Sequence, residues 1–199
     1  MGLIGNLRKI IRVYPDVRSI ARRMFVTNSL DGIVAAMGVD IGGFSKNVDP
    51  LLIASSIIGG TVAMGIVSGI IGVYLSERAE RLKEYKELEK RVASSLRESI
   101  YWEAVRILPL YVALWSGVGI VVFPLLIALP YLLAHLGFMG IESAYVSSIG
   151  IGLGLMGVLG FYLGKISRER VLLSVLRVLS MGVIAIIIVK MLRLGMGVS

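Results

Sequence analysis

Residues 51–74, LLIASSIIGGTVAMGIVSGIIGVY, carry no charge, and residues 76–92, SERAERLKEYKELEKRV, are dense in it. An apolar run of about 20 residues spans a bilayer as a helix, where every backbone group must be satisfied internally. The charged run contains neither Gly nor Pro and is rich in strong helix formers, so the helix is expected to continue out of the membrane. Asp49 and Pro50 break the chain just before it.

Four more apolar runs accompany this one, over about 24–44, 107–136, 145–165 and 175–194. The third is long for a straight crossing, and its Pro109, Pro124 and Pro130 predict a kink or an interfacial start. The fold class is therefore all-α: a polytopic membrane protein with five transmembrane helices, the second extended beyond the bilayer. The chain divides on this reading into a basic segment 1–23, spans one and two over 24–74, a charged helical segment 75–106, and spans three to five over 107–199. In the first segment Leu3, Ile4, Leu7, Ile10 and Ile11 fall near one helical face beside Arg8, Lys9 and Arg12. That pattern fits a short helix on the membrane surface, or a basic tail.

Composition agrees. The 199 residues are 56% hydrophobic, and the mean hydropathy is +0.86. There is no cysteine and a single histidine, His135, which excludes disulfides, iron–sulfur clusters and thiolate zinc sites. A lone histidine without a nearby acid also argues against a hydrolase, and the chain is read as no enzyme. The net charge of +8 reports loops on one side of a membrane, not a nucleic-acid surface. Arg8 to Arg23, Arg78 to Arg106 and Lys165 to Arg177 hold most of the basic residues, whereas Lys46, Lys190 and Arg193 are sparse on the other side. The positive-inside rule then places the N-terminus in the cytoplasm and the C-terminus outside. With no targeting signal visible, a prokaryotic plasma membrane is the expected location.

Two sets of acids stand out. Asp31 lies within span one, where a charged residue costs roughly 2.5–3.5 kcal/mol on insertion scales. On a helical wheel Thr27, Asn28, Ala35, Gly38 and Gly42 cluster near its azimuth, whereas Ile33, Met37 and Ile41 lie further round or opposite. This small, polar stripe is expected to face other helices or a water path. Asp31 either ties helices together or carries a cation or proton. Asp40 falls about half a turn away in azimuth, near the outer surface, and shares no site with Asp31. Beyond span two, Glu77, Glu80, Glu84 and Glu87 recur at spacings that bring like charges together on one helix face. Clustered carboxylates suit hard divalent cations, and a solvated charged face is the alternative. Glycine pairs four apart, Gly65 with Gly69, Gly150 with Gly154 and Gly160 with Gly164, permit close helix approach within one chain or between two.

NSLDGIVAAMGVDIGG from residue 28, SGIIGVYLSERAE from 68, and GVLGFYLGKISRERVLLSVLRVLSMGVIAIIIVKMLRLG from 157 resemble the vacuolar iron transporter family. The likeness covers about residues 25–195. It implies a five-span homodimer that exports Fe2+, and related ions such as Mn2+, from the cytoplasm in exchange for protons. No permanently bound cofactor is implied, and the partners are a second copy, lipid and the transported ion. Asp31 matches the Asp of the family's first-span DG motif and is implied as metal ligand and proton carrier. The inner end of the family's second span reads SMxxGEY; here Ser68, Gly72 and Tyr74 fit, but Gly69 and Val73 replace the Met and Glu. Met37 or Met64 is the candidate replacement thioether. Glu77, Glu80, Glu84, Glu87, Glu98 and Glu103 are the candidate cytoplasmic ligands from pattern alone. The missing Met and Glu support an alternative, a membrane protein that no longer transports and serves as a structural or docking platform.

Overall fold

Five helices of the computed structural model are long and apolar enough to cross a membrane. The structure describes residues 9–44, 48–97 and 99–195. Leu3 to Arg8 of the basic segment, Lys46 and Glu98 lie outside the described residues. Helix α1 is Val17–Gly43, and α2 is Pro50–Met64. A π-helical segment, Gly65–Gly72, joins α2 directly to α3, Val73–Val92. Then follow α4, Ile100–His135, α5, Ile141–Ser167, and α6, Val171–Gly195. No strand occurs among the described residues.

The start of α2 follows from its sequence. The Asp49 carboxylate accepts the Leu51 N–H at 2.9 Å, and Pro50, which has no N–H to satisfy, takes the first helical position. The apolar span then passes without interruption into polar α3, as expected. Its π geometry over Gly65–Gly72 was not visible in the sequence; Gly65 and Gly69 are buried within it. Helix α3 ends at Ala93, which adopts a left-handed conformation at φ 51°. Gly137, at φ 82°, turns the chain after α4, where only glycine adopts that angle without steric cost.

The chain forms two compact units. The first comprises Met1–Asn28 and Met64–Val118. Its core joins Ile10, Val17 and Ala21 to Ala104, Leu108 and Val112 of α4. Ile10, expected on a membrane-facing surface or in a loose tail, is instead fully buried against protein in a helical turn over residues 9–13. This packing explains why α4 begins at Ile100 and not near 107: its first two turns have protein to cover them.

The second unit comprises Ser29–Ala63 and Gly119–Ser199. Here α1 and α4 approach closely at Gly32. A Cβ there would lie 3.0 Å from the Ile120 carbonyl oxygen and 3.2 Å from Pro124 Cγ. Helices α5 and α6 pack through Gly160 and Gly164, so this GxxxG pair serves contact within one chain. Gly150 and Gly154 have no neighbour there within 4 Å. The three prolines of α4 lie inside one helix and are all buried.

Candidate functional site

In the second unit the two acids of α1 have opposite environments. Asp31 is exposed on the surface of the chain. The wheel separated the two azimuths correctly. Of the small, polar stripe, Thr27 and Gly42 are exposed, Ala35 and Gly38 are half-buried, and Asn28 donates from its side-chain amide to the Ser116 hydroxyl of α4. Ile33, Met37 and Ile41 face the interior, each buried. Met37 is directed at Gly152 of α5, where a Cβ would lie 2.7 Å from its sulfur, and it is turned away from Asp31. On α2 the same unit exposes Ser55, Ser56, Gly59 and Gly60. Both serine hydroxyls are satisfied by the Leu52 carbonyl one turn back.

Asp40, in contrast, is completely buried. Its Oδ1 accepts a hydrogen bond from the Tyr131 hydroxyl of α4, and its Oδ2 accepts one from the Ser148 hydroxyl of α5 at 2.6 Å. No ion pair reaches it among the described residues. Just past the end of α1, Phe44 donates its N–H to the Asp40 carbonyl at 3.0 Å and stacks on Tyr145 of α5 with ring centroids 4.1 Å apart. This three-helix polar junction was not foreseen from the sequence, which put Asp40 opposite Asp31 in azimuth and assigned it no partners. The available signal was a tyrosine in an otherwise aliphatic part of α4 and a serine pair, Ser147 and Ser148, in α5. A buried hydroxyl requires a partner.

His135, at the end of α4, also differs from expectation. Its Nδ1 lies 3.5 Å from Asp49 Oδ1, so an acid does stand beside it. That oxygen already caps α2, which accounts for its position without a catalytic role.

In the first unit the glutamates of α3 separate into two groups. Arg81 is buried, at 4% exposure, and its guanidinium meets three carboxylates at 2.9 Å: Glu77, Glu84 and Asp16. Tyr14 lies under the same guanidinium, 5.1 Å from ring centroid to Cζ. Burial works against the arginine's charge, and the Asp16 hydrogen bond with the Glu84 and Glu77 charges outweighs it, raising its pKa. Burial first, and then Glu84, raise the Tyr14 phenol. Two of the four stripe glutamates are thus bound to a cation supplied by the chain itself. Glu80 and Glu87 are exposed. Glu103 is also exposed, in the first turn of α4, where the helix dipole favours an acid. Met64 ends α2, half-buried. Among the described residues, no three Asp, Glu or His side chains are gathered tightly enough to hold a metal ion.

Glu89, which the stripe did not include, closes the end of α3. It accepts the Tyr85 hydroxyl at 2.6 Å and the Leu96 N–H at 2.9 Å. These two hydrogen bonds hold its carboxyl below the usual carboxylate range. Tyr85 packs on Trp102 of α4 at 5.2 Å between centroids, which fixes the turn between the two helices.

Over 170 residues the chain is 31% identical to a protein of Methanocaldococcus jannaschii, MJ0645, covering 83% of this chain and 84% of that one. It belongs to the family of MJ0645. That relative is described as uncharacterized, and no family model matches the chain. Membership therefore leaves the chemistry to be argued from the residues.

Proposed function

We propose that the protein is a homodimeric exporter of divalent cations, Fe2+ and related ions such as Mn2+ being the expected cargo, driven by proton exchange. The observation that carries this is Asp31: an acid inside a membrane-spanning helix, yet exposed on the surface of a single chain. Ionisable residues in spans are rare on lipid-facing surfaces and turn to a protein interior or a water-filled cavity. A second copy would cover the Asp31 face. Ser55, Ser56, Gly59 and Gly60 of α2 are small enough to let helices approach closely. A two-fold axis near this face would bring two Asp31 carboxylates together, and a pair of carboxylates is a natural ligand set for a hard divalent ion. The DG motif's resemblance to the vacuolar iron transporters supports the same residue. Orientation follows the positive-inside rule, with α3 in the cytoplasm.

The alternative, a non-transporting platform, is favoured by one observation: Arg81 occupies Glu77 and Glu84, acids that would otherwise collect metal. One experiment separates the two. In proteoliposomes loaded with Fe2+ or Mn2+, the parent is expected to release the ion, and Asp31→Asn to abolish release while the dimer still forms in detergent. Equal release by Asp31→Asn removes Asp31 from the pathway. A parent that moves no divalent ion, with or without a pH gradient, favours the platform.

A further inference from the structure

We infer that Asp40, held between Tyr131 and Ser148, is a proton-binding site distinct from Asp31, and that it carries the proton exchanged for the cation. The second clause rests on the exporter reading, whereas the first does not. The surroundings of the Asp40 carboxylate decide its chemistry. It is fully buried, lies in a membrane-spanning helix, and has no cationic partner among the described residues. Its hydrogen-bond partners are two hydroxyls, one per oxygen, and a hydroxyl both donates and accepts. An arginine, a lysine or a backbone N–H in either place would only donate and would commit the carboxylate to one charge state.

The same two hydroxyls satisfy both states without moving a helix. In the ionised form Tyr131 and Ser148 both donate, as observed. When a proton binds Oδ2, the new O–H donates to Ser148 Oγ. The serine hydrogen rotates to a carbonyl one turn back on α5. Serine and threonine make that bond readily in helices, and Ser56 and Thr61 of this chain already do so, at 2.7 Å each. Tyr131 continues to donate to Oδ1 throughout. One O–H bond forms on Asp40 as one breaks in the hydronium that delivers the proton, and within the protein only a hydroxyl rotor turns.

Among the described residues, the titratable groups facing the site are Tyr131 from α4 and Tyr145 from α5, while α1 contributes Asp40 itself. The Phe44–Tyr145 stack closes the junction on the side of the α1 C-terminus, so proton exchange in that direction requires those rings to part. A mere structural pin needs no ionisable group there, because asparagine would also hold Tyr131 and Ser148.

The test is infrared difference spectroscopy between acidic and alkaline pH on the purified protein, from about pH 4 to pH 10 to bracket the range over which carboxyls titrate. A protonated-carboxyl band that appears on acidification, is lost in Asp40→Asn, and shifts in Tyr131→Phe and Ser148→Ala is the expected result. If Asp40→Asn does not fold, the shifts in the other two variants decide. Absence of any band sensitive to these substitutions overturns proton binding. In proteoliposomes cation release by Asp40→Asn is expected to show no acceleration by an imposed pH gradient; acceleration equal to the parent overturns the coupling role. A parent without cation flux defeats the exporter reading, and the infrared band still decides whether Asp40 binds a proton.

Discussion

Replacing Gly160 by alanine tests the packing of α5 on α6. The added Cβ would lie 2.8 Å from Val175 Cα, 3.1 Å from the Ser174 carbonyl oxygen and 3.3 Å from the Val175 nitrogen. All three are backbone atoms and cannot swing aside. Carbon contacts are comfortable at about 3.5–4.0 Å, so the two helices must separate by roughly 0.5–1 Å, given that contact distance. Overpacking of this kind costs about 1–3 kcal/mol. Alanine recovers about 1 kcal/mol of helix propensity over glycine. The net expectation is a loss of about 1 kcal/mol, the middle of a range of about 0–2 kcal/mol, which is a sizeable fraction of a typical stability. Thermal melting in detergent measures it, with Gly154→Ala as control, because Gly154 is exposed and has no neighbour within 4 Å of its would-be Cβ. Adding Gly164→Ala, whose Cβ would meet Val171 Cα at 2.8 Å, should cost less than a second full increment, because the helices have already moved apart. A Gly160→Ala protein that melts at or above the parent, with the control unchanged, refutes the close packing.

Two further outcomes follow from the first unit. Arg81→Leu leaves Glu77, only 12% exposed, without its cation; breaking a fully buried pair costs about 3–5 kcal/mol, and because Asp16 and Glu84 are half-exposed the expected loss here is about 2–3 kcal/mol, read by denaturant unfolding and by faster hydrogen exchange over residues 9–23. The carboxyl of Glu89 is held below its ordinary value by Tyr85 and Leu96, so its stabilisation is complete above about pH 4.3, the usual glutamate value, and is lost as pH falls through the lower folded-state value. Trp102 fluorescence should report that loss on acidification, and Glu89→Gln should remove this acid-dependent step.

The spans were legible because hydrocarbon demands long apolar runs and the lengths follow from bilayer thickness. Their ends were not. Residues 100–106 contain Glu103 and Arg106 and read as the end of the charged segment 75–106 and not as the start of α4, yet Ala104 and Val105 are buried, with Ala104 in a core shared with Ile10, Val17 and Ala21. The facing of α1 was also hidden, for a physical reason. In a soluble helix the apolar side points inward, but in a membrane both lipid and protein interior are apolar, so a wheel gives azimuth without sign. It placed Asp31 and Asp40 on opposite faces and could not tell which face was buried. The glutamate stripe shows a third limit. Glu77 and Arg81 are visibly one turn apart, but Asp16, 65 residues earlier in the chain, is brought to the same guanidinium only by the fold.

These placements shift the weight of the functional argument from α3 into the membrane. A cation arriving at Glu77 or Glu84 must compete with Arg81, which already holds both at hydrogen-bond distance, leaving Glu80 and Glu87 as the freer acids of the stripe. Asp31 faces no such competitor among the described residues. If one carboxylate held both cargo and coupling proton, each would simply displace the other. The two acids of α1 offer a different arrangement. They are nine residues apart in one helix, roughly 13 Å along its axis, one exposed for a partner or an ion and one enclosed by hydroxyls. On the proposed reading, exchange is then divided along one helix: Asp31 takes the cation and Asp40 the proton, so neither has to displace the other from a shared carboxylate.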